Sequence, residues 1–238
     1  METAESLSEA SNLTAALSHT YDQVVRIVEE AVPRLLAETS ASEAATALVL
    51  VRHDLAAAAA REIEVLVPPV RPAACHAGCG TCCHTRVTTD VATLAAIALF
   101  IRETFTPEAV AALRERLSQE IGRIDTVRPF PACPMLENDQ CSVYPVRPLV
   151  CRGFTSFDET ECMREHMGGP GGKITGNAVR WKTMKAVAKG SALALARAGL
   201  DATPVDLGRS LAAIMDTPDA AERWRAGAFL CPVNPGTP

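Results

Sequence analysis

Apolar positions recur at helical spacing over most of the chain. In YDQVVRIVEEAVPRLL, residues Val24, Val25, Ile27, Val28, Val32, Leu35 and Leu36 fall on one broad face, the 3.6-residue period of an amphipathic helix. Pro33 marks a kink or an end. A second, alanine-rich helix is expected from about Ser42 to Leu66, offering Val51, Leu55, Ile63 and Leu66 to a core and stopped by Val67-Pro68-Pro69. Alanine is the strongest helix former, so the run 56–60 reads as close helix packing, not low complexity. Helix resumes over 91–102 behind Asp90 as N-cap, and again behind Thr106, with Pro107 at the first helical position. From there Val110, Leu113, Leu117, Ile121 and Ile124 mark one stripe. Asn177 to Ala198 reads as a helix closed by Gly199. Thr203-Pro204 and Thr217-Pro218 each predict the start of a short helix. Few runs alternate with period two, so no extensive sheet is expected.

Two stretches break the pattern. Residues 70–89 form a loop containing Pro72, Gly78 and Gly80. Residues 126–176 hold prolines at 129, 131, 134, 145 and 148 and end near the tract GGPGG at 168–172. A structureless stretch of that length does not persist in a compact domain unless something else holds it. The expected fold class is therefore mainly α: a helical scaffold around an irregular cysteine-rich metal-binding core. It divides into an N-terminal helical segment at 1–70, a cysteine-cluster domain at 71–176 and a C-terminal helical segment at 177–238.

What the clamp is follows from the cysteines. There are nine: Cys75, Cys79, Cys82, Cys83, Cys133, Cys141, Cys151, Cys162 and Cys231. Four of them fall within residues 75–83, and four more sit in the second irregular stretch. The opening METAESLSEA is acidic and lacks an apolar segment, so no signal peptide is expected. The longest apolar run, VATLAAIALFI at 91–101, is too short to span a bilayer. A cytoplasmic location is therefore expected, where thiols stay reduced and a dense cysteine group reads as metal binding. The net charge of −5 and an aromatic content of 4% argue against nucleic-acid and anionic-membrane partners. The partner the sequence specifies is a metal ion or cluster; a protein partner is compatible with it and unspecified.

Cys75-x3-Cys79-x2-Cys82-Cys83 can curl a tight loop around a metal, with Gly78 and Gly80 supplying the unusual dihedrals. Neighbouring side chains of an extended segment point apart, so Cys82 and Cys83 are expected to serve different metals, or one is spare. Cys133, Cys141, Cys151 and Cys162 must arrive by tertiary folding. Eight cysteines fit two four-thiolate sites, or one cluster with surplus thiols. Cys231 is expected to be a small buried apolar residue. Zinc takes four Cys or His ligands, usually from C-x2-C pairs, and only Cys79 to Cys82 has that gap within the loop. An iron–sulfur cluster also takes four thiolates, commonly three from one loop and a distant fourth, and is preferred here. Copper lacks a methionine-rich pattern. The C-x3-C-x2-C run is shared with radical enzymes that use S-adenosylmethionine, but the strands of their β/α barrel are missing. His76, His84 and His166 stand close to cysteines in the chain and are secondary ligand candidates, whereas His19 and His53 are expected on helix surfaces.

The whole cysteine pattern resembles the YkgJ-type cysteine-cluster family, whose domain is described as zinc- or iron-chelating. The resemblance rests on the double-cysteine loop, on Cys133-Pro134-Met135-Leu136, and on the run from Cys141-Ser142-Val143-Tyr144-Pro145 through Cys151-Arg152-Gly153-Phe154. It covers about residues 72–165, with one extra residue in the first gap of the family's C-x2-C-x2-C-C motif. The resemblance implies ligation by clustered thiolates. It extends to flagellin lysine N-methylases, which implies an alternative role in methyl transfer or protein modification. No catalytic residue is visible, and GGPGG does not follow a strand, so it is a weak cofactor signature.

The residues around the cysteines fit such a site. Four thiolates about Zn²⁺ or an oxidised four-iron cluster leave a net charge near −2. Arg147 and Arg152 flank Cys151 and are expected to bind the cofactor by offsetting that charge. Pro145 and Pro148 stiffen the connecting loop. Tyr144 and Phe154 are expected to cover the site. Lys173, Arg180, Lys182 and Lys185 read as a solvated helix face.

Overall fold

The computed structural model describes residues 4–121, 130–166, 174–228 and 230. Two long helices open it, α1 (Ala4–Glu38) and α2 (Ala44–Leu66). Pro33 does not end α1, which runs on to Glu38 although the proline forfeits one backbone hydrogen bond. The first loop contains a 3-10 turn at Thr81–His84 and leads into strand β1 (Thr88–Asp90). Helices α3 (Val91–Thr104) and α4 (Pro107–Ile121) follow. The second irregular stretch holds a small hairpin, β2 (Leu136–Glu137) and β3 (Gln140–Cys141), then a 3-10 turn at Tyr144–Val146. Two short helices complete it, α5 (Leu149–Gly153) and α6 (Glu159–His166). Then come α7 (Ala178–Arg197), β4 (Pro204–Asp206), α8 (Leu207–Met215) and α9 (Ala220–Arg225). The protein is mainly α, as the apolar periodicity predicts.

Helix ends are set by local chemistry. Asp90 Oδ1 accepts from the Thr93 amide at 2.9 Å, Thr106 Oγ1 from Ala109 at 3.2 Å, and Asn177 Oδ1 from Arg180 at 3.1 Å. Gly199 turns away from α7 at a φ of +71°, the left-handed conformation that favours glycine. One expected start is displaced. Thr203-Pro204 does not open a helix: Pro204 enters β4, which pairs antiparallel with β1, Thr88 opposite Asp206. Proline suits this edge because it has no N–H to leave unpaired. The cap passes to Asp206, whose Oδ1 accepts from the Arg209 amide at 3.0 Å.

α7 is the axis of the packing, with α1 and α2 against it, while α3 and α4 pack on α8. Leu48, Leu94, Ile97, Leu113, Leu195, Leu211 and Trp224 are fully buried in the continuous core. Ala44, Ala45, Ala60, Ala92, Ala95 and Ala96 are buried too, so alanine is used for close approach. Leu66, expected in the core, is exposed at the end of α2 beside Val65.

The tightest approach is at Gly190, where a Cβ would stand 2.6 Å from the Val25 carbonyl oxygen and 2.8 Å from Val28 Cβ. Glycine to alanine inside a helix normally stabilises by about 1 kcal/mol. Here the methyl would push α1 off α7. Gly190→Ala is expected to destabilise by about 2 kcal/mol in chemical denaturation. A gain in stability would show that α1 does not seat against this position.

Candidate metal centre

The loop carrying four of the thiols is shaped by its own backbone. Gly78 sits at a φ of +84°, while Gly80 has an ordinary φ of −87° and is small for a different reason. A Cβ at Gly80 would meet Leu136 Cδ1 at 3.2 Å. The Cys79 amide donates to the His76 carbonyl at 3.2 Å and that of Cys83 to Gly80 at 3.0 Å. Residues 81–84 are therefore helical, not extended. The extended geometry behind the expected divergence of Cys82 and Cys83 is therefore absent, and the two thiols interact.

The second stretch is stitched onto this loop. The Cys133 amide donates to the Cys83 carbonyl at 2.7 Å, and the Ala74 amide to the Ser156 carbonyl at 2.8 Å. The Ser156 amide in turn points at Cys75 Sγ, 3.3 Å away. Cys141 is delivered by the hairpin, which turns at Asn138 and Asp139 with φ of 49° and 59°. Positive φ at both central residues is the type I′ geometry. Asn-Asp at the turn was a legible hairpin signal that the sequence reading missed. Arg116 of α4 holds the hairpin through the Pro134 carbonyl, at 2.7 Å, and the Glu137 carboxylate. Cys151 rides on α5 and the buried Cys162 on α6. These eight cysteines are all free thiols.

Charge and burial act on several of these thiols together. Cys75, Cys79 and Cys82 each raise the pKa of Cys162. Cys133 and Cys141 raise those of Cys83 and Cys151. Cys82 is the junction, since its charge is felt by Cys83, Cys141, Cys151 and Cys162. Burial is the main force pushing up Cys141, Cys162 and Cys151, the last to about 12. The Cys83 thiol donates to Cys82, which lowers Cys82 and raises Cys83. Cys83, Cys141, Cys151 and Cys162 therefore resist ionising on their own. A bound cation reverses that preference, because a coordinating thiol is deprotonated outright. The donor set thus fits a thiophilic metal.

The flanking residues sort by what they touch. Arg147 lowers the pKa of Cys82, Cys141 and Cys151, so its positive charge is placed to offset thiolates. The guanidinium of Arg152 lies 5.5 Å from the centre of the Tyr144 ring, and that of Arg147 4.2 Å. Tyr144 is half exposed, and Phe154 packs edge-on against Trp181. His84 also lowers Cys82. His76, Cys79 and Glu159 bring one ligand atom each within 4.8 Å of one another, a grouping in which Glu159 went unnoticed in the sequence. His166 ends α6.

His53 corrects an expectation. It is buried, not on a helix surface. Its ring Nε2 donates to the Arg147 carbonyl at 3.0 Å, which ties α2 to the cysteine loop. Burial lowers its pKa to about 4 with help from Arg152, so the ring is neutral near pH 7. His19 is exposed, as expected. Arg180 is paired with Glu64 at 2.9 Å, and Lys185 lies over Trp181. Cys231, Lys173 and the GGPGG tract lie outside the described residues. Among the described residues no helix is long and apolar enough to cross a membrane.

Residues 74–167 match the CxxCxxCC family model, described as "Putative zinc- or iron-chelating domain". All eight clustered cysteines lie inside the match. No curated protein and no solved structure matches the chain.

Proposed function

We propose that this chain, whose residues 74–167 carry the zinc- or iron-chelating cysteine-cluster domain, uses it to hold iron as an iron–sulfur cluster of the four-iron type. The single observation that carries the reading is the gathering of eight free thiols within residues 74–167. A mononuclear zinc site uses four ligands; eight thiols are enough for two four-thiolate sites. Cys83, Cys133, Cys141 and Cys151 make one such set, and Cys75, Cys79 and Cys162 with the junction residue Cys82 make the other. Arg147 offsets the negative charge of the first set. Arg152 stands next to it, held by Tyr144. A four-iron cluster supplies one-electron chemistry when bound, tuned by such charges and by solvent exposure.

Anaerobically purified protein is expected to be brown, with broad absorption near ~400 nm and about four irons per occupied cluster. Iron and zinc analysis on the same sample decides between the metals. A colourless protein with stoichiometric zinc overturns the choice of iron.

A further inference from the structure

Beside the thiol set, and separate from it, lies a cavity of 310 Å³. It is walled by α2, α5, α7 and the segment that follows the second 3-10 turn. Its polar lining is Arg61, Arg147, Arg152, Arg180, His53 and Tyr144. No carboxylate stands among its described lining residues. Arg180 is paired with Glu64. Among the described residues no carboxylate makes a salt bridge to Arg61, Arg147 or Arg152. Asp54, the acid whose charge reaches Arg152 and His53, is exposed and outside the lining.

Arg147 and Arg152 are stacked on the same tyrosine ring, so two like charges share one small space. The Nε atoms of both are buried without a hydrogen-bond partner. Unpaired buried donors and adjacent like charges both cost stability. An oxyanion seated among them relieves both costs.

We propose that this cavity binds the phosphate group of a small phosphomonoester whose organic part rests on Ala57, Ala60, Leu149 and Met184. The guanidiniums arrive from separate elements: Arg61 from α2, Arg152 from α5, Arg180 from α7 and Arg147 from the loop. A planar monocarboxylate is satisfied by one guanidinium fork. A tetrahedral dianion accepts from several directions and matches the surplus of positive charge. Four aliphatic lining residues suit a compact apolar body. Arg147 lines the cavity and also faces Cys82, Cys141 and Cys151, so the bound phosphate sits one guanidinium away from the metal centre. The site does not depend on whether that centre holds iron or zinc.

The test is calorimetric titration of the metal-loaded chain with phenyl phosphate, and separately with benzoate. Phenyl phosphate is expected to bind saturably at one site, with benzoate at least about tenfold weaker. Arg61→Gln and Arg152→Gln are each expected to weaken phenyl phosphate about tenfold, whereas Arg34→Gln on α1 leaves binding unchanged. Metal content is measured on every variant. Arg61 lies outside the cysteine-cluster domain, so Arg61→Gln separates loss of the anion site from loss of the metal. Absence of saturable binding, binding insensitive to Arg61→Gln, or equal affinity for benzoate each overturns the proposal.

Discussion

Cys151→Ser is expected to strip the chain of its metal and to open residues 130–166 to protease, while α1, α2 and α7 persist. Cys151 is the thiol that burial pushes up to about 12, at the point where α5 carries the loop against α7. Cys133 and Cys141, whose charges bear on it, come from the segment before the hairpin and from β3. Apart from the short hairpin and the two short helices, that stretch has little regular structure to hold it. Metal affinity there is folding free energy, on the order of 10 kcal/mol for structural zinc in small peptides, and an incomplete ligand set forfeits much of it. Metal analysis and limited proteolysis of the variant check both halves. Cys231→Ser is the companion variant and is expected to leave metal content unchanged. If Cys151→Ser keeps its full metal content, or Cys231→Ser depletes it equally, the ligand assignment is wrong.

Asp90→Ala is expected to cost about 3 kcal/mol, because one carboxylate serves two purposes. Oδ1 caps α3 through the Thr93 amide, and Oδ2 accepts from Arg52 Nη1 at 2.7 Å. Losing the cap alone costs about 1 kcal/mol. The larger part is Arg52, whose side chain is 6% exposed and would be left charged, buried and unpaired. Asp90 itself is 22% exposed, which places the total toward the low end for broken buried pairs. Asp90→Asn keeps an acceptor for the cap and gives up only the charge, so urea denaturation should place it between the native protein and Asp90→Ala. Equal losses for the two variants would mean that the cap contributes nothing.

Helix ends and the thiol-bearing loop were legible because their causes are local. Asp90, Thr106, Asn177 and Gly199 act within three or four residues of where they stand, so the spacing of apolar positions and one capping side chain suffice. The cysteine density was legible for a different reason, since eight thiols within about ninety residues exceed what packing calls for and match what a thiolate metal site uses.

What tertiary structure alone decided is where distant pieces meet. Thr203-Pro204 reads locally as a helix start, yet β1 recruits it as a strand, because unpaired backbone at Thr88–Asp90 finds partners there. His53 has the period of a surface position and is buried because the Arg147 carbonyl comes to it from the other end of the domain. The short pieces α5, α6 and the hairpin are below the length at which periodicity can register. The Cys82 and Cys83 thiols interact only because the loop closes into a 3-10 turn, a choice sealed by the bond from the Cys133 amide to the Cys83 carbonyl. The arginine-lined cavity is wholly of this kind. Arg61, Arg147, Arg152 and Arg180 are scattered along the chain as ordinary charges, and only the packing of α2 and α5 against α7 gathers them around one space. The sequence by itself thus determines helices, caps and the choice of thiolate chemistry, through interactions a few residues long. Which side chains share a site is settled by contacts between segments far apart in the chain, where no local period records the neighbour.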